Sequence, residues 1–187
     1  MDIPWGSDIA HRFITNVGLV TSHGKHGHNI MACEWTHHLS YKPALVGISL
    51  HPRHASYDNI KETKEFGISL TSIQQSILSS VAGKESGKAF DKMKILEELG
   101  FKFYQAKKIQ ALMVLGASVN LECKLHQEIA LGDHTLFVGE VIEAGFLPEE
   151  KPLSYHFGKY WDMAITLEKP TTEFREKIKT LFEKHKK

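Results

Sequence analysis

Only two cysteines, Cys33 and Cys123, occur in the 187 residues, and no CxxC spacing joins them. That composition argues against a disulfide framework and against a structural zinc site. No apolar run approaches the ~20 residues needed to cross a bilayer. The N-terminal stretch MDIPWGSDIAHRF lacks the basic start and apolar core of a secretory leader. The expectation is a cytoplasmic chain with no membrane to engage. An excess of one charge is also missing: 23 Lys and Arg stand against 22 Asp and Glu, for a net charge of +1. So small a field does not point to nucleic acid or an anionic surface. Neither GxGxxG nor GxxxxGK[ST] is present, so any nucleotide must be held by another device. There is no internal repeat, low-complexity tract or Gly/Ser/Pro-rich linker, which leaves one domain over 1–187. Its core is expected over about 13–161, with a helix in 170–187.

What is present is an ordinary core: 42% of the residues are hydrophobic and 24% charged, as in soluble globular domains. The segment 14–21, ITNVGLVT, reads as a strand. The turn SHGKHG at 22–27 follows it, and a second strand begins near His28. The segment 44–50, ALVGISL, is a short apolar run between Pro43 and Pro52 and reads as a buried strand. Residues 57–64 read as a short helix capped by Ser56, and 66–70 as a strand. Helical spacing recurs over 73–81, stopped by Gly83, and over 90–99, stopped by Gly100.

The second half turns to strands. In 111–125, Val119, Leu121, Cys123 and Leu125 alternate with Asn120, Glu122 and Lys124, the period of two that a half-buried strand needs. The Gly132-Asp133-His134 turn then leads into a strand over 135–142. An amphipathic helix over 171–185 carries Phe174, Ile178, Leu181 and Phe182 on one face. Five to seven mostly antiparallel strands with short inserted helices predict a mainly β fold. A closed or nearly closed barrel is favoured, because closure removes exposed edges.

The chemistry concentrates in 29–57. Small residues at 32–36 permit close backbone approach, and Trp35 offers a flat wall. Arg53, His54 and Ser56 precede a predicted helix N-terminus, an arrangement suited to an anion, although a solvated basic turn has the same composition. The histidines at 23, 26, 28, 37 and 38 match no standard metal spacing and have no acidic partner close in sequence, so no metal is assigned. Cys33 is either a redox thiol or a small buried side chain, and Cys123 belongs to the core. Trp35 is either a stacking surface or part of the core or an interface. Tyr155, Phe157 and Tyr160 read as packing. In the C-terminal FREKIKTLFEKHKK, glutamates interleave with lysines, so it reads as a solvated helix and not a nucleic-acid site. No catalytic triad or carboxylate pair is evident.

Five segments in fixed order carry a resemblance. They are VGLVTSHGKHGHNIMACEW, SYKPALVGISLHPRHASYDNIKETKEFGISL, AGKESGKAFDKM, LECKLHQEIALGDHTLFVGEV and PLSYHFGKYW. Together they resemble the flavin reductase-like, FMN-binding split-barrel proteins, a group that includes flavoredoxins and ferric reductases. The resemblance implies a split β-barrel of Greek-key type that forms a homodimer, with FMN near the subunit interface. NAD(P)H would donate a hydride to the flavin, and free flavin or a redox partner protein would take the electrons onward. An FMN-bearing electron carrier and a ferric-chelate reductase are the alternatives. By residue, Asn29 would bind the cofactor, and the stretch Ala32, Cys33, Glu34, Trp35 and Thr36 would line the ring. Ser49, Leu50 and His51 would run beside the ribityl chain. Arg53, His54, Ser56 and Tyr57 would surround the phosphate. Ser86 and Lys92 would approach the flavin, Lys92 as a candidate charge near the ring, and His134 would contact the nicotinamide. HGHN and WTHH hold more histidine than usual for such proteins, which leaves the detailed ring contacts open.

Overall fold

The computed structural model describes residues 2–166 and 169–186. Among them are twelve strands: β1 (Thr15–Asn16), β2 (Gly18–Ser22), β3 (Asn29–Cys33), β4 (Thr36–Ser40), β5 (Leu45–Leu50), β6 (Glu65–Leu70), β7 (Phe103–Gln105), β8 (Leu112–Val114), β9 (Val119–Leu131), β10 (His134–Phe146), β11 (Leu153–His156) and β12 (Lys159–Asp162). The α-helices are α1 (Ala55–Thr63), α2 (Ser76–Lys84), α3 (Lys92–Glu98) and α4 (Thr172–Lys184). Seven strands form one antiparallel sheet in the order β3-β2-β6-β9-β10-β5-β4; β1-β11-β12 and β7-β8 are separate.

The long β9–β10 hairpin is the spine. Leu131 pairs with His134 across Gly132 and Asp133. Gly132 has φ +60°, the left-handed first position that a two-residue turn matching strand twist requires. Register shifts at Val138/Gly139 and Val141/Glu143 are bulges that bend a strand and increase its twist. The sheet curls until its ends meet. Past Thr36 the β4–β5 ladder runs on through the Ser49 N–H to the Trp35 carbonyl at 3.1 Å, and from the other end of the sheet the Cys33 thiol of β3 reaches the Ser49 carbonyl at 3.6 Å.

Both faces of the curl are covered, so consecutive residues Leu19 and Val20 are both fully buried. Val20, Ile48, Phe66, Ile68 and Phe137 fill the inside. Leu19, Ile30, Leu78, Met93 and Leu96 pack beneath α2 and α3.

The structure corrects several expectations. The single strand expected from near His28 is two, β3 and β4, with a corner at Glu34 and Trp35. The 111–125 run divides into β8 and β9 around Gly116. Helix α2 runs through Gly83 to Lys84. The N-cap of α1 is His54, which makes no side-chain cap bond. Ser56 lies inside the helix and its hydroxyl accepts from the Asn29 amide at 2.8 Å.

Glu122 sits on the polar side of the β9 alternation, yet it is buried. Its carboxylate accepts the backbone N–H groups of Lys107 at 2.9 Å and Lys108 at 2.6 Å. Beside it, buried Glu65 accepts the Gln110 N–H at 2.6 Å and pairs with Lys124. Two carboxylates therefore clasp the β7–β8 connection to the sheet. Replacing Glu122 with Ala unpairs two donors at once. At ~1 kcal/mol net per bond, the loss is about 2 kcal/mol, read as a lower urea midpoint with an unchanged slope.

Candidate functional site

At the curled end, the N-terminus of α1, strand β3 and the segment joining α2 to α3 converge on a cavity of about 110 Å³. Asn29, Ala32, His54, Ser86 and Lys92 line it, as does Gly87. Lys92 is almost fully buried at 4% exposure. Its ammonium donates to the Ala82 carbonyl at 2.7 Å, and burial pushes its pKa down to about 8. An ammonium has three donors, so Lys92 reaches the cavity with bonding capacity in hand. Burial, with help from Arg53 and His51, holds His54 down to about 4, and it is uncharged at neutral pH. Its Nδ1 is buried and has no hydrogen-bond partner among the described residues.

From His54, on the cavity's lining, a row of rings leads away. Trp35 lies 4.7 Å from His134, His134 5.5 Å from His51, and His51 6.1 Å from His54, between centroids. Trp35 at the corner is 46% exposed, so this wall is open to a ligand. Asp133 orients His134 through a 2.7 Å contact to Nδ1. Arg53 is exposed just before α1, and its N–H donates to His51 Nδ1 at 3.1 Å.

Other residues singled out in the sequence point elsewhere. The Leu50 side chain is fully buried in the core, so only its backbone can border the wall. Tyr57 packs edge-on against Phe137 at 5.3 Å. Thr36 is buried, and its hydroxyl donates to the Cys33 carbonyl at 2.9 Å. The Cys33 thiol is buried and pushed up to about 11 by that burial, which makes it a poor thiolate. Glu34 accepts the Trp5 indole N–H at 3.3 Å. Lys92 is anchored on the Ala82 carbonyl and lines the cavity together with His54.

Sequence reasoning missed Asp58 and Gly87. Asp58 gathers His26 at 2.9 Å, Lys88 at 2.9 Å and Lys25 at 3.4 Å. These partners, His26 foremost, hold its carboxyl well below the usual carboxylate range. The cluster ties the β2–β3 turn and the α2–α3 segment to α1. Gly87 lies so close to Asn29 that a Cβ there would fall 1.9 Å from its Oδ1. Only a glycine allows that approach. The glycine in SGK was the available signal; Asp58 in SYDNI gave none.

A curled antiparallel sheet whose ends meet at an aromatic wall, with a buried cation beyond it, defines a β protein suited to a planar, anionic ligand. The flavin reductase like domain matches residues 10–164, and the chain belongs to the flavin reductase-like family. It is 32% identical to an uncharacterized protein of Pyrococcus abyssi over 124 residues, 66% of this chain and 69% of that one. It is 26% identical to an NADH-dependent FAD reductase of Streptomyces globisporus, covering 79% of each. A flavoredoxin structure from Methanosarcina acetivorans superposes with a TM-score of 0.77 at 20% identity, over 94% of this chain and 97% of that one. That similarity shows the split-barrel fold.

Proposed function

We propose that the chain is an NAD(P)H-dependent flavin reductase whose site holds the FMN moiety of its flavin. The observation that carries this is the pairing of an open Trp35–His134–His51 wall with the Lys92–His54 cavity. The residues present fit such a cofactor: a buried, under-bonded ammonium and an orphaned His54 nitrogen await an anion. Bound there, the flavin supplies the hydride-accepting chemistry that no side chain here provides.

The chain's own residues bind and orient. Lys92, Ser86 and the N-terminus of α1 receive the phosphate, with Arg53 at its mouth. Asn29, braced by Ser56, fixes the cavity wall. Ala32 and Ser49 leave room for close backbone approach, and Trp35 flanks the ring. Leu39, Tyr41 and Trp161 are exposed apolar residues on the same chain, and a homodimer would cover part of that surface. Free flavin or a redox partner protein would accept the electrons.

Anaerobic addition of NADH or NADPH to the flavin-loaded protein tests the reading: the visible absorbance of oxidised flavin should disappear within seconds. Binding without reduction would make the protein a carrier; failure to take up any flavin would end the proposal. His134→Ala should raise the KM for the pyridine nucleotide about tenfold, as expected for one lost hydrogen bond to a charged or polar ligand. Because His134 also belongs to the ring wall, flavin affinity should fall less than the affinity for the pyridine nucleotide. Steady-state kinetics and a flavin titration separate the two.

A further inference from the structure

We propose that α4 is a surface anchor: its apolar stripe, rimmed by cations, seats on an anionic membrane surface and holds the chain there. This goes beyond the flavin reading and does not depend on it. No residue of α4 is buried. Phe174, Leu181 and Phe182 are exposed, and Ile178 among them is only half-buried. A helix of 13 residues is marginal alone in water, so its apolar face calls for cover.

Read along the chain, the glutamates and lysines of this segment interleave. Wound at 3.6 residues per turn, they separate. Phe174, Ile178, Leu181 and Phe182 fall on one stripe. Lys177 and Lys184 border it on one side, Arg175 and Lys179 on the other. Glu173, Glu176 and Glu183 fall on the back. Among the described residues, none of the four cations forms an ion pair with a carboxylate. Their charge is open to a partner. The helix start is fixed without them: the Thr171 hydroxyl accepts the Phe174 N–H at 3.3 Å.

An apolar stripe between two rows of cations is the pattern of a helix that lies in the plane of a membrane surface. The apolar side chains sink among the headgroups, and the cations meet anionic lipid. The helix does not cross the bilayer: it is about 20 Å long, and no helix among the described residues is long and apolar enough to span. The approach to it is apolar too, since Met163 and Ile165, between β12 and α4, are both exposed. A second copy of the chain, at a net charge of +1, offers the cation rim no opposing field. An anionic lipid surface does.

The test is flotation of the full chain with two kinds of vesicle: phosphatidylcholine alone, and phosphatidylcholine with phosphatidylserine at about three to one. Each cation near an anionic surface contributes about fivefold in affinity. Binding to the phosphatidylserine vesicles should be at least tenfold tighter than to the neutral ones, and high salt should release it. Lys177→Gln combined with Lys179→Gln should weaken it about twenty-five-fold. Phe182→Ser should weaken it at least tenfold. Both variants should keep the parent's melting temperature, because the replaced side chains are exposed. Binding to neither kind of vesicle, equal binding to both, or variants that bind like the parent overturns the anchor. So does self-association that Phe182→Ser abolishes in the absence of vesicle binding, which would make the stripe a contact between copies.

Discussion

Replacing Lys92 with methionine should lower flavin affinity about a hundredfold while leaving the flavin-free protein at least as stable as the parent. The two effects share one cause. In the free protein, Lys92 is a buried ammonium with a single acceptor among the described residues, the Ala82 carbonyl. A buried charge without full pairing is a net burden, and an apolar side chain of similar length removes it. Against a flavin phosphate the same ammonium makes charge-assisted bonds worth about 1.5–3 kcal/mol, and ~2.7 kcal/mol is a factor of one hundred.

The pH dependence has a definite sign. Burial takes the Lys92 amine from 10.5 to about 8, so between those values the unfolded chain binds a proton that the folded chain has released. Stability of the flavin-free protein therefore rises with pH across that window. Flavin affinity runs the other way and falls above about 8 as the ammonium is lost. Lys92→Met should show neither trend. Isothermal titration and thermal melts over the range distinguish this from a merely structural lysine, whose loss would destabilise the protein at every pH.

Phe137→Ala should cost about 3–5 kcal/mol, the range for emptying a buried aromatic site. At roughly 2–4 °C per kcal/mol for a chain of this size, the melting temperature falls by roughly 10 °C. Phe137 is fully buried on β10 opposite Ile48 of β5. It also supports Tyr57 of α1 at 5.3 Å, so the cavity left would loosen the helix that presents its N-terminus to the anion. Phe146, at the far end of the same strand, is 72% exposed. Phe146→Ala should stay within about 0.5 kcal/mol. Parallel denaturation of the two variants checks that burial, and not aromatic content, sets the loss.

The antiparallel β plan was legible because β5, β6, β9 and β10 alternate or run apolar between glycines and prolines. What escaped the sequence is tertiary. Glu122 follows the polar half of a period-two pattern, and nothing local reveals that backbone donors of the β7–β8 connection cover that side. Leu50 reads as a neighbour of the basic loop, yet its side chain turns into the core. Gly83 reads as a helix stop, but α2 runs on past it because the helix lies close against the strand: a Cβ there would meet the Ala32 Cβ at 3.2 Å. The Trp35, His51 and His134 wall joins residues up to 99 positions apart, which no spacing rule links.

The unpaired margins of the seven-stranded sheet, β3 and β4, are consecutive in the chain and meet at the Glu34–Trp35 corner. That corner is a seam, and the ligand wall lies along it. A molecule seated there would act as a staple across the one line where the barrel can part. At a hundred times its dissociation constant it would add about 2.7 kcal/mol to stability, and the gain would fall mainly on the slow opening of that seam, where hydrogen exchange in β3 and β4 would register it first.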